Sequence, residues 1–460
     1  WSLLLFISFF EYLCDHANMG NSKTALCKVF LQFKSVIMLK KNTPWLWIPT
    51  LYFASGLPYH AITSISDIMY KDLGLGNAQT ALYTSLLLIP WTIKPLWSPI
   101  VEMISTRRRW TLMSQLILAV CFAGIALAIP SGHFLLFTMI AFTIGAFVSS
   151  THDIALDGFY ILALPQEKQS FFSGIRNTFY RIATVFASGV LVMIADRIGD
   201  CKGNDKIAWC ATFAVTAIIM IALFIYHKKA MPEPKNDISR MPKDIGDTFT
   251  NFCDIIKTYF QKPGIWQTVI FLLLFRFPEA LLGKMGKLFL MDSVANGGLA
   301  LDKGDIGFMN GVVGVTGLIV GGILGGICIS RKGLKYWLWP MVAAISLPDI
   351  VYVYMSQVLP DNLTLIGSCI FIEQLGYGFG FTAYTLYMIY FAQGKYPTAH
   401  FAISTAFMSL GMMLPGMFAG ILEEKIGYEA FFIFAMISTI ITFIVSYIIK
   451  IDSNFGKRQI

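Results

Sequence analysis

The apolar residues of this chain are gathered into blocks about as long as a bilayer is thick. Twelve can be drawn along the 460 residues, at about 45–66, 80–101, 111–129, 134–157, 172–195, 208–226, 265–290, 307–329, 334–357, 363–391, 401–422 and 430–450. About 20 apolar residues in a helix cross a hydrocarbon layer of ~30 Å. A single segment satisfies its own backbone N–H and C=O groups there only as a helix. Composition agrees, with 56% hydrophobic and 13% charged residues, where soluble domains carry about 25% charged. The expected fold class is an all-α membrane protein with twelve transmembrane helices.

The formal net charge of +8 is placed in a way that points to a membrane and not to nucleic acid. Basic residues cluster in alternate loops: Arg107, Arg108 and Arg109 after span 2, Lys168 after span 4, and Lys228, Lys229, Lys235, Arg240 and Lys243 after span 6. They recur as Arg331, Lys332 and Lys335 after span 8, Lys395 after span 10, and Lys457 and Arg458 at the end. The opposite loops, 196–205, 302–305 and 423–429, are mixed or acidic. The positive-inside rule then sets both termini and the 227–264 loop in the cytoplasm. No basic patch interleaved with aromatics marks a nucleic-acid partner. The eight cysteines contain no CxxC pair, so free thiols are expected; only Cys201 and Cys210 lie where they could oxidise together.

Residues 227–264 form the only long polar interval and divide the spans six and six. The expected organisation is a segment 1–44, a half at 45–226, a cytoplasmic linker at 227–264, a half at 265–450 and a tail at 451–460. Residues 1–37 are set aside from the fold, and whether they belong to the native protein is left open at this point. WSLLLFISFF is too short to span and lacks a basic leader, whereas Met38 before Leu39-Lys40-Lys41 reads as a start. The halves echo each other. LPQEKQSFFSGIRNTFYRIATVFASG in span 5 and KYPTAHFAISTAFMSLGMMLPGMFAG in span 11 each run from a Pro-polar loop through Phe into a small-residue helix ending Ala-x-Gly. The loops after spans 2 and 8 both carry a short basic run. Two pseudo-symmetric six-helix halves joined by a cytoplasmic loop are the major-facilitator architecture, with the substrate path between the halves. The Gly-rich span 8 suits close helix approach.

Within this apolar background, SSTHDIALDGFY (149–160) carries Asp153 and Asp157 four residues apart. On a helix such a pair lies roughly 40° apart, on one face. Facing lipid, each carboxylate would cost about 2.5–3.5 kcal/mol, so the face is expected to meet protein or water. No cation shares that span; Arg176 and Arg181 on span 5 are the nearest candidate partners. A carboxylate so placed either pairs with arginine or binds a proton. Glu373 is isolated in SCIFIEQLGYGFGF and is similar in kind, with no acidic counterpart in the first half. Arg276 and Glu279 stand i,i+3 on span 7 and read either as an internal salt bridge or as transport residues. Asp349 follows Pro348 and reads as a helix irregularity. His152 reads as a proton shuttle or as a hydrogen-bonded packing histidine. Lys94, Glu102, Arg107, Arg108, Arg109 and Arg331 are expected to form a cytoplasmic latch.

Several stretches resemble the AmpG-type muropeptide permeases, in the peptide–acetyl-CoA–drug transporter branch of the major facilitators. They are FASGLPY (53–59), KPLWSPIVE with RRRW (94–102, 107–110), SSTHDIALDGFY with LPQEK (149–160, 164–168), and Tyr180-Arg181 followed by Ser188-Gly189. FIEQLGYGFGFTAYTLYMIY (371–390) and FAISTAFMSLG (401–411) continue the likeness in the second half. His152 stands where the family pattern has Gln, and Gly158 where it has Ala; the sequence stops at Ile460, without the further spans of some members. The resemblance implies proton-driven import of N-acetylglucosaminyl-anhydro-muramyl peptides from periplasm to cytosol. The place is the inner membrane of a Gram-negative bacterium. It assigns proton and substrate transport to Asp153, Asp157, Arg176, Tyr180, Arg181, Arg276, Glu279 and Glu373, with Tyr377, Tyr384 and Tyr387 available to stack on sugar.

The expected partners are a small-molecule substrate, protons and the lipid bilayer, with a monomeric protein and neither cofactor nor metal. Another cargo of the same branch, a sugar or acetyl-CoA, is the alternative; acetyl-CoA would call for a denser basic pocket. An enzyme is disfavoured because residues 227–264 hold only His227 and scattered carboxylates, with no nucleophile, base and orienter set. A signalling receptor would need a sensor domain.

Overall fold

The structure, a computed structural model, describes residues 43–164, 166–234, 237, 245–394, 396–453 and 455–456. Among the described residues all regular structure is helical. The helices group into twelve rods: α1 at 44–72, α2 at 77–104, α3 at Arg107–Ala128, α4 at Phe134–Ala163, α5 at 166–202 and α6 at Asp205–Ala230. After the linker come α7 at Ile265–Met291, α8 at Lys303–Lys332, α9 at Leu334–Val358, α10 at Leu363–Ala392, α11 at 397–426 and α12 at 428–448. Among the described residues nine helical stretches are long and apolar enough to cross a membrane. One of them, Ala399–Ile448, is two rods across Gly427, whose φ of 75° and ψ of 164° turn the chain. The broken rods α1 and α2 complete the expected twelve.

Several rods are interrupted for reasons the sequence carries. Pro49 and Pro58 lie inside the first stretch of α1, which continues through a wide turn at Ala61–Ile65. Proline lacks a backbone donor and crowds the carbonyl one turn earlier. Pro278 likewise follows the break of α7, where one helix ends at Leu274 and the next begins at Phe277. Pro348 sits in the tight turn Leu347–Asp349 that divides α9. The polar interval is not all loop: it contains a helix, Ile245–Phe260. Its sequence FTNFCDIIKTYF repeats apolar residues at helical spacing, and Tyr259 is buried against Phe391, His400 and Phe407.

The rods alternate in direction, so one end of the bundle carries the linker and the other, the far end, carries the turns at 73–76, 292–302 and 427. Buried residues of α1, α3, α4, α5, α6 and α7 form one continuous apolar core. The halves touch backbone to backbone where glycine permits. A Cβ on Gly311 of α8 would lie 2.3 Å from Gly189 Cα of α5, and one on Gly420 of α11 would lie 2.3 Å from the Asn77 carbonyl oxygen of α2.

Candidate functional site

Helix α4 presents Asp153 and Asp157 on one face, and α1, α2 and α5 bring polar groups to meet them. Ser55 donates to Asp153 Oδ1 at 2.6 Å, and the Trp91 indole N–H donates to Oδ2 at 3.2 Å. The Tyr52 hydroxyl donates to Asp157 Oδ1 at 3.2 Å and accepts from Arg176 Nη1, also at 3.2 Å. Arg176 lies 3.6 Å from Asp157 and stacks over the rings of Tyr52 and Tyr160, 5.1 and 5.3 Å from their centroids. Asp157 keeps 50% of its side chain exposed and Arg176 32%, so their pairing is loose and wet. Tyr52, Ser55, Asp153, Asp157 and Arg176 line a cavity of about 260 Å³, shared with Lys94, Asn177 and Tyr180.

Arg181 stands apart from this pair. Among the described residues it makes no ion pair within 4.0 Å, but its charge reaches His60, Tyr180 and Tyr377. Tyr377 belongs to the opposite half, where its hydroxyl accepts from Arg276 Nη2 at 2.5 Å. The Arg276 guanidinium lies over Tyr377 and Phe381, at 5.4 and 4.9 Å from the centroids. No ion pair within 4.0 Å joins it to Glu279 among the described residues; Arg276 lies in the break of α7, as N-cap of the helix whose first turn carries Glu279. Glu279 and Glu373 gather instead with Asp349. Tyr384 donates to the Leu272 carbonyl at 2.6 Å, and the hydroxyls of Tyr387 and Thr268 share a 2.8 Å hydrogen bond. Both tyrosines are buried packing residues of the C-terminal half.

The residues expected to form one latch lie in different places. Lys94 lines the cavity beside Asp153. The backbone N–H groups of Arg107 and Arg108, at the start of α3, donate to the Asp237 carboxylate at 2.9 and 3.0 Å. Arg108 also pairs with Glu233 at 3.0 Å and donates to the Lys228 carbonyl. Arg109 carries its backbone N–H to Thr106 Oγ1, which caps α3. Arg331 is exposed in the last turn of α8. The side chains of Glu102 and Lys168, and Lys235, Arg240, Lys243, Lys395, Lys457 and Arg458 entirely, lie outside the described residues, as do residues 1–37.

Charges that the sequence reading passed over bind the halves together. Lys284 and Lys287 of α7 straddle Asp67 of α1, at 2.9 and 3.4 Å, with Asp67 only 2% exposed. Toward the far end, Lys71 pairs with Asp292 at 2.8 Å, and Asn77 Nδ2 lies within 2.9 Å of Asp292, Glu423 and Tyr428 oxygens. Lys303 bridges Asp72 at 3.1 Å and also meets Asp205. The Ala78 N–H donates to Glu424 at 2.8 Å. The far end is therefore closed by a polar seam between α1, α2, α7 and α11. The signal was present: Lys284 and Lys287 stand i,i+3 in the otherwise apolar LLGKMGKLFLM.

Comparison with known proteins agrees with this arrangement. The sequence pattern of the Major Facilitator Superfamily matches residues 50–400. The anhydromuropeptide permease of Escherichia coli (strain K12) is 24% identical over 418 residues, covering 90% of this chain and 79% of that protein. A putative transporter AmpG 4 of Rickettsia conorii is 26% identical over 399 residues, 84% of this chain and 92% of its own. The crystal structure of a D-xylose-proton symporter superposes with a TM-score of 0.67 at 11% identity, covering 90% of this chain and 99% of that one. That of the nucleoside transporter NupG gives 0.64 at 15%, with 88% and 99% covered. Twelve membrane-length rods in two sets of six, a polar cavity inside them and this likeness have one meaning: the chain is a multi-pass membrane transporter that belongs to the Major Facilitator Superfamily, homologous to the AmpG-type permeases.

Proposed function

We propose that this transporter imports cell-wall-derived anhydro-muropeptides from the periplasm to the cytosol, driven by protons. The observation that carries the reading is the Asp157–Tyr52–Arg176 triad beside Asp153, in a cavity of a chain similar to an anhydromuropeptide permease. A sugar-peptide offers hydroxyls, amides and carboxylates. Arg176 suits a carboxylate, since a guanidinium engages one through two parallel hydrogen bonds. In the absence of cargo it is held by Asp157. A proton arriving on the Asp153–Asp157 pair weakens that attraction and frees Arg176 for the substrate, so proton and cargo load together. Tyr52, bonded to both, links the two events. Asp153 receives two donors and feels the Lys94 charge, which orders the cavity wall. With the linker end in the cytoplasm, the closed seam faces the periplasm and the cavity opens inward.

The test is uptake into proteoliposomes under an imposed proton gradient. Labelled N-acetylglucosaminyl-anhydro-muramyl tripeptide should accumulate, and xylose, a nucleoside and acetyl-CoA should neither accumulate nor compete. Accumulation of a control in its place reassigns the cargo. Equal accumulation with the gradient collapsed removes the proton coupling.

A further inference from the structure

The proposed cargo site does not use the most deeply buried acidic group of the molecule. In the C-terminal half, α7, α9 and α10 bring Glu279, Asp349 and Glu373 together, each offering an oxygen within 4.8 Å of the others. They are 8%, 3% and 2% exposed. Two of the three rods are interrupted at this level. Glu279 falls in the first turn of the helix that restarts at Phe277, and Asp349 ends the turn that divides α9. Negative charge is favoured at such helix starts.

The partners of the three differ. Gln374 Nε2 donates to both oxygens of Glu373, at 3.2 and 3.0 Å. Glu279 Oε2 and Asp349 Oδ1 are buried with no hydrogen-bond partner. Arg276 is the cation whose charge reaches Glu279, yet its guanidinium is committed to Tyr377 and Phe381 and its Nε is itself unpartnered. The other titratable groups around the cluster are Tyr352, close to all three acids, Cys369 and Tyr377. Three ionised carboxylates against one guanidinium leave two uncompensated negative charges inside the bundle, an arrangement that burial strongly penalises. The cluster is stable only with positive charge bound. Oxygens no more than 4.8 Å apart can share a hard cation held at about 2.3–2.6 Å, the range for an ion of calcium's size, and Na+ is of similar radius. They can equally share a proton, since neighbouring carboxylates cannot all ionise.

We propose that Glu279, Asp349 and Glu373 form a monovalent-cation site of the C-terminal half, in which a proton or Na+ is held between the unpartnered oxygens of Glu279 and Asp349. The site is separate from Asp153 and Asp157 and requires no particular cargo. Glu279, the most exposed of the three, is the entry point, and the ion leaves when Arg276 turns from Tyr377 onto Glu279.

The test uses the full chain in nanodiscs with no substrate, so that it stands apart from any failure of the cargo assignment. Infrared difference spectra are recorded between acid and alkaline pH, and separately between NaCl and choline chloride. A carboxyl signal should appear in the pH pair if protons fill the site, or in the salt pair if Na+ does. Glu279→Gln and Asp349→Asn should each remove about a third of that signal or more, whereas Asp157→Asn should leave this component in place. Glu373→Gln, whose neighbour Gln374 retains a partner, serves where either variant fails to elute as a folded monodisperse protein. Identical spectra for wild type and these variants in both pairs overturn the proposal.

Discussion

Asp157 and Asp153 share one face of α4 but not one environment, and under the proposed function that difference gives them different tasks. Asp157 is half exposed and paired at 3.6 Å with an arginine that a substrate can claim. Asp153 is fixed by Ser55 and Trp91. Asp157→Asn should therefore leave Arg176 permanently free: cargo binding persists, while accumulation against a proton gradient falls by about tenfold or more, the equivalent of at least 1.36 kcal/mol of coupling. Asp153→Asn puts an amide N–H against one of two donors, and cargo exchange without a gradient should fall as well. Comparing gradient-driven uptake with counterflow separates the two; identical profiles for both variants would contradict this division. The i,i+4 spacing made the pair legible in the sequence, and Arg176 with it. His152, where the family pattern has Gln, is buried in a polar chain: Gln115 bonds both His152 and His227, and His227 reaches Thr50. Gly158, where the pattern has Ala, lets Arg107 pass, since a Cβ there would lie 2.5 Å from Arg107 Nε. Neither contact has a signal in local sequence, because the partners lie 37 or more residues away.

The rods show why element boundaries were harder to read than element number. Hydrophobic blocks count spans, but the ends extend past the apolar stretch: α4 runs to Ala163, beyond both aspartates. α5 runs from 166 to 202 although polar residues occupy both ends. Asp153 and Asp157 meet protein groups and the cavity, so they do not stop α4. The glycine contacts between halves are invisible in one strand of sequence, since each needs its partner to acquire meaning. They carry a prediction. Gly311→Val should drive Gly189 and α5 away from α8 at the far end, where a built Cβ already stands 2.3 Å from Gly189 Cα. Gly326, with open space around it, makes the control. Accessibility of a cysteine placed at the buried Ile306 to an impermeant reagent should rise several-fold in Gly311→Val and stay unchanged in Gly326→Val. No rise in the first variant would show that the two glycines do not hold the halves in contact.

Taken as one body, the two halves are fastened at the far end by a seam of charges as well as by glycine contacts. Removing one partner of a buried ion pair costs about 3–5 kcal/mol, comparable with the ~5.5 kcal/mol that carries a two-state equilibrium from 1:99 to 99:1. Asp67→Asn strands both Lys284 and Lys287. Spin labels on Leu75 and Asn296 should then report a large fraction of longer distances; an unchanged distribution places the balance elsewhere. Orientation has its own check. Reporter fusions after His133, Ala230 and Lys450 should read outside, inside and inside, and an outside reading at Ala230 would invert the topology. The sequence carried the class and the two sets of six because lipid imposes length and charge asymmetry on every span. Of the charges that join the halves it carried only Lys284 and Lys287, two lysines in an apolar stretch; Asp67, Lys71, Asp292 and Lys303 look like ordinary loop charges until the halves are set side by side.

The linker has a mechanical meaning beyond joining the halves. One end is fixed to the first half, where Asp237 caps α3 and Glu233 holds Arg108. The other is fixed to the second half, where Asp254 accepts from Tyr396, and Tyr259 meets Ser404. Between the anchored Asp237 and the helix that begins at Ile245 run eight peptide steps, which reach at most roughly 26–29 Å. The chain is thus a leash of fixed contour length between the two halves. Whatever energy parts them, the distance between these two anchored points has a ceiling set by covalent geometry.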